Sequence, residues 1–145
     1  MKSWWKSLSA ARKVVLFVAG GMVTLVFDAL VAHMKWNLLT MRWTQAIPIV
    51  YGLLASAALF VAALVPMERE KFNRVVMVMG LLGMGVGGTG VVLHGLEVVE
   101  QVGESDKTVK AVGNTLKDAP PAFAPASFAG IGLLLVALPR ITRQD

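Results

Sequence analysis

The chain has 145 residues, of which 56% are hydrophobic and 16% charged, with a net charge of +5. An ordinary soluble domain carries about 25% charged residues, and so small a domain buries too little surface to hide this much apolar side chain from water. The absence of cysteine excludes disulfides, thiolate metal sites, iron–sulfur clusters and cysteine nucleophiles, and without a basic run interleaved with aromatics the positive charge does not read as a nucleic-acid interface.

Four apolar stretches follow one another, at about 14–32, 46–65, 75–96 and 119–138. A spanning helix needs about 20 mostly apolar residues to cross about 30 Å of hydrocarbon. The first three meet this directly. The fourth does so only if it starts near Ala119, because its continuous apolar run begins at Phe123. The first stretch resembles a secretory signal in having a basic start, but Leu30 and Ala32 make a poor small-x-small cleavage site, so it reads as an uncleaved helix. Trp4, Trp5, Trp36 and Trp43 flank it, as interfacial aromatics do. Pro48 is placed in the first turn of the second helix, with Pro66 and Pro139 just past the ends of the second and fourth.

Lys2, Lys6, Arg12, Lys13, Arg69, Lys71, Arg74, Arg140 and Arg143 fall on one side of these spans, against Lys35, Arg42, Lys107, Lys110 and Lys117 on the other. Basic residues concentrate on the cytoplasmic side. The sequence thus predicts a single all-α domain over residues 1–145, an integral membrane four-helix bundle with up-down-up-down topology and both termini inside. The connection 97–118 lies outside. There Val98, Val102, Val109, Val112 and Leu116 recur at helical spacing between charged residues, which predicts one or two amphipathic helical pieces interrupted near Gly103 and Gly113, or a third helix that continues outward through Gln101.

The third helix carries Gly80, Gly83, Gly87 and Gly90 at steps of three and four, a series that His94 and Glu97 continue. At about 100° per residue these fall on one face. Glycine stripes let membrane helices approach closely, so the four glycines are packing residues and their face is expected to meet another helix. Ala126 and Gly130 are expected to do the same on the fourth helix, and Tyr51 and Ser56 to hydrogen-bond between helices.

The first helix sets Asp28 on a stripe with Gly21 and Thr24, which suggests an inward carboxylate. Such groups normally find a partner inside a membrane. Asp28, His33, His94 and Glu97 all lie toward the outer ends of their helices. His94, Glu97 and Asp28 are candidate ligands for a transition metal, and His33 with His94 for a haem b iron. The plainer alternative is that His94 and Asp28 satisfy each other. The methionines read as packing.

These features lead to a non-enzymatic inner-membrane protein of bacterial type, an accessory or assembly subunit. Its partners are the lipid bilayer and either another membrane protein or further copies of itself. The alternatives are a haem- or metal-binding redox protein built on the histidine–carboxylate cluster, and a small transporter or channel subunit in which Asp28 couples transport.

Overall fold

The computed structural model describes residues 4–34, 43–104 and 123–141, and within them the side chains of 6–31, 46–96, 99 and 125–141. Every element there is helical. A short α1 (Trp4–Ser7) precedes α2 (Ala10–Met34), α3 (Trp43–Leu64), α4 (Arg69–Glu104) and α5 (Phe123–Ile141). Three of these, α2, α3 and α4, contain stretches long and apolar enough to cross a membrane, of 22, 19 and 28 residues. The described part of α5 is shorter. At about 1.5 Å per residue its 19 residues reach about 28 Å, and residues 119–122, which would lengthen it, lie outside the described residues.

α2, α3 and α4 exceed the lengths read from hydropathy because polar ends continue the backbone ladder past the apolar run. The largest excess is in α4, which runs unbroken for 36 residues, begins at Arg69 and passes through Gly103 to Glu104. The interruption expected near Gly103 is absent, since one glycine costs a helix only about 1 kcal/mol. The remainder of the connection, 105–118, falls outside the described residues. Pro48 lies inside α3, five residues from its start. It removes one N–H from the ladder there, instead of occupying the first turn where that N–H has no partner. Pro139 likewise lies inside α5, which continues to Ile141.

Each helix turns a narrow face inward. On α2 the buried positions are Val15, Val18, Ala19, Met22, Val26 and Ala29, the i, i+3, i+4 pattern of one helix face. The largest fully buried side chains are Phe128, Met22, Leu59, Leu135, Val15 and Val76, drawn from all four long helices. The outward faces are equally apolar. Phe17 is 85% exposed, and only 22% of the most apolar stretch of α4 is buried. Water would not tolerate that exterior, whereas hydrocarbon is as apolar as the exterior itself.

α4 packs most extensively on α5, and α2 on α3, with α3 against α4 and α2 against α5 completing the contacts. The pairings run in opposite chain directions. Arg12 meets Ala63 while Val26 meets Gly52, and Gly80 faces Val136 while Gly90 faces Pro125. The start of α2, the end of α3, the start of α4 and the end of α5 therefore share one end of the molecule. Every Lys and Arg among the residues with described side chains (Lys6, Arg12, Lys13, Arg69, Lys71, Arg74 and Arg140) lies there.

Candidate functional site

Among the described residues, α4 and α5 approach each other backbone to backbone. A Cβ added at Gly80 would lie 2.8 Å from the Gly132 carbonyl oxygen, and one at Gly90 would lie 2.8 Å from Pro125 Cβ. At Gly87 it would run into the backbone nitrogen of Ala129 and stand 2.6 Å from the Pro125 carbonyl oxygen. From the other side, a Cβ at Gly132 would stand 2.6 Å from Met84 N. The two backbones touch with no side chain between them. Gly130 and Ala126, the pair expected to provide the close face of α5, do not. Gly130 has nothing within 4 Å and Ala126 is exposed. The α5 face toward α4 is built from Pro125, Ala129 and Gly132, a series at steps of four and three. Gly130 lies two residues from Gly132, about 200° around the helix.

At Gly83 the missing side chain admits a hydrogen bond. Tyr51, from α3, donates its hydroxyl to the Met79 carbonyl oxygen at 2.7 Å. That oxygen lies four residues before Gly83 and already accepts the helical N–H of Gly83. A helical Cβ tilts back over the preceding turn, so a side chain at 83 would cover this oxygen. A Cβ there would stand 2.5 Å from the Tyr51 hydroxyl. The Tyr51 ring packs edge-on against Phe128 of α5, centroids 5.8 Å apart at 70°. Phe128 in turn presses on Gly52, which also receives Val26 of α2. One knot of small and aromatic residues thus ties all four long helices. Ser56, also expected to bond between helices, donates instead to Leu53 O of its own helix at 3.0 Å.

This geometry predicts a coupled pair. Tyr51→Phe is expected to cost about 1 kcal/mol, typical of an interhelical hydrogen bond. Gly83→Ala is expected to cost about 1 kcal/mol less in a Tyr51→Phe background than in the parent chain. Unfolding of the four proteins of this cycle in detergent measures the coupling. Equal cost of Gly83→Ala in both backgrounds would rule out the hydroxyl as the obstacle.

The polar positions near the other end are arranged differently from the sequence expectation. Asp28 is exposed, as is Thr24, whose hydroxyl donates to Gly20 O of its own helix at 3.3 Å; Gly21 has nothing within 4 Å. The stripe of Gly21, Thr24 and Asp28 therefore faces away from the packed side of α2. Asp28 lies about 120° around the helix from Met22, away from the packed side of α2. His94 is half-buried on α4, one turn beyond the contact of Gly90 with Pro125. His33 and Glu97 lie on the helical backbones of α2 and α4, with side chains outside those described. Among the described residues no group of three His, Asp or Glu side chains comes together in a way that could hold a metal ion.

α4 carries a second glycine series that sequence reading passed over. Gly85, Gly88 and Gly95 have nothing within 4 Å of a would-be Cβ. With the exposed Leu81, Val92 and Val99 they form an outward stripe, 81–85–88–92–95–99, at alternating steps of four and three. The signal was present as the same small-residue spacing on the opposite side of the helix. Comparison with family models, with curated proteins and with solved structures finds no match for this chain.

Proposed function

We propose that this protein is a non-enzymatic accessory or assembly subunit of a bacterial-type inner membrane. In this reading it sits in the bilayer as a left-handed up-down-up-down bundle with both termini in the cytoplasm. The gathering of the described basic residues at one end supports that orientation. The stripe Gly80, Gly83, Gly87 and Gly90 fastens the bundle internally.

The observation that carries the proposal is the second stripe of α4. Between membrane helices the driving force is close packing, since lipid removes any hydrophobic gain from association. An outward face of glycines with small and branched neighbours is shaped for another helix to approach. Within the described residues nothing fills it at Gly85, Gly88 or Gly95. The occupant in this reading is a helix of another membrane protein or of a second copy.

A photo-reactive amino acid placed at Val92 is expected to give a discrete crosslinked protein species in cells. The same probe at Phe17, which is more exposed but lies on α2, should react with lipid alone. Gly88→Leu should abolish the species without lowering the unfolding temperature of the purified protein. Lipid adducts alone at Val92 would remove the reading. The orientation has its own check. A reporter fused after Asp145 is expected to report cytoplasm, and one inserted beside Asp106 the exterior; the reverse pattern would invert the topology.

A further inference from the structure

At the basic end a groove of about 400 Å³ opens between the α1–α2 turn and the α3–α4 connection. Its lining mixes polar Ser7, Ser9 and Arg12 with apolar Leu8, Leu64, Pro66 and Met67. Arg12 has five N–H donors. Nη1 donates to Ala63 O at 3.1 Å and to Val65 O at 2.9 Å, and Nη2 donates to Met67 O at 3.4 Å. These bonds hold the guanidinium in place, and no described residue takes Nε or the other Nη2 hydrogen. All three acceptors are neutral, so the full positive charge remains. No described carboxylate pairs with Arg12; Glu68 and Glu70, in and beside the α3–α4 connection, pair with Lys71 and Arg74. Ser9 begins α2, its Oγ accepting the Arg12 N–H at 3.4 Å and its carbonyl the Lys13 N–H at 3.1 Å, so the positive end of the α2 dipole adds to the same field.

We propose that this groove binds the phosphodiester headgroup of an anionic phospholipid, with Arg12 holding the phosphate. A planar guanidinium with two vacant donors suits a phosphate oxygen pair. Basic pockets between spanning helices on the cytoplasmic side are a recurrent way to hold such headgroups. The lipid is favoured over free phosphate by position and by the apolar part of the lining. The groove lies where α2 enters and α3 leaves the apolar zone, at headgroup depth. Leu8, Leu64 and Met67 offer contact to the glycerol and first acyl carbons, from which a hydrated inorganic ion gains nothing. The site is independent of the outward face of α4 and stands whether or not that face has a partner.

Full-length protein in neutral detergent is titrated with phosphatidylglycerol, phosphatidylcholine or inorganic phosphate, and retained lipid and unfolding temperature are read. Phosphatidylglycerol is expected to be retained and to raise the unfolding temperature, and the other two to do neither. Arg12 also holds the end of α3, so Arg12→Gln weakens fold and site together. Ser9→Asp separates them: aspartate is as good a helix-starting residue as serine and sets a carboxylate beside the guanidinium. It is expected to unfold at the parental temperature in detergent alone while retaining about tenfold less phosphatidylglycerol, the equivalent of one charge-assisted hydrogen bond. Parental retention by Ser9→Asp would overturn the site. Equal retention of phosphatidylcholine would overturn its preference for anionic headgroups, and equal stabilisation by inorganic phosphate would overturn the lipid assignment.

Discussion

Gly87→Leu is expected to unseat α5 from α4 and leave little folded protein, whereas Gly85→Leu, two residues away, leaves the fold intact. At Gly87 even a Cβ would collide with the Ala129 backbone nitrogen, the Pro125 carbonyl oxygen at 2.6 Å and Ala129 Cα at 2.9 Å. These are backbone atoms of a helix, with no rotamer to swing aside. The helices must separate, and separation also breaks the contacts at Gly80, Gly83, Gly90 and Gly132, which lie in the same seam. Inserting bulk into a packed interior costs about 1–3 kcal/mol and sometimes more; four carbons against an immobile backbone belong at or above about 3 kcal/mol. At Gly85 there is nothing within 4 Å, so leucine there clashes with no described part of the bundle while raising helix propensity. The fraction of monodisperse protein after detergent extraction, with thermal unfolding of what remains, measures both. Equal loss in the two variants would mean that the seam lies elsewhere.

Arg12→Ala is expected to cost about 2–3 kcal/mol, the scale of a few carbonyl bonds from a charged donor and a cation–π contact. A helix ends with carbonyls that have no intrahelical partner. For α3 the Arg12 guanidinium supplies one, at Ala63 O, and then fixes the connection through Val65 O and Met67 O. It also lies 5.5 Å from the centre of the Phe72 ring in α4. One side chain of α2 thereby sets the end of α3 and the start of α4. Lysine keeps the charge but offers a point donor in place of a fork, so Arg12→Lys should recover about half of the loss. Lys6→Ala, at an exposed neighbouring position, should stay within about 0.5 kcal/mol of the parent. Chemical or thermal unfolding in a fixed detergent gives the comparison. A loss at Lys6 as large as at Arg12 would point to net charge at this end and not to the bonds.

The glycine spacing of α4 was readable because it is a steric signal: only absence of a side chain permits backbone contact, and the gaps of three and four place that absence on one face. The partner was not readable. On α5 the sequence pointed to Ala126 and Gly130, whereas Gly132, two residues further on, is the one in the seam. The bond from Tyr51 had a legible donor but not a legible acceptor, since a main-chain carbonyl exists at every position and Met79 O is singled out only by the gap at Gly83. Asp28 was misplaced for a related reason. Gly21 and Thr24 are small residues at the right spacing, but on α2 small residues lie on the exposed side too, and nothing in the composition distinguishes the two.

The sequence by itself determined that there are several long apolar helices, three of them long enough to cross a membrane, roughly where each lies, and that the described basic residues gather at one end. Those properties depend on the amount of apolar surface and on charge, which are sums along the chain. Which face turns inward was decided by tertiary structure wherever no run of glycines marks it, as on α2 and α5. In water the contrast between a wet side and a dry side writes that choice into the residue pattern. In hydrocarbon both sides are apolar, Phe17 outside and Phe128 inside, and only the fit of one surface against another separates them.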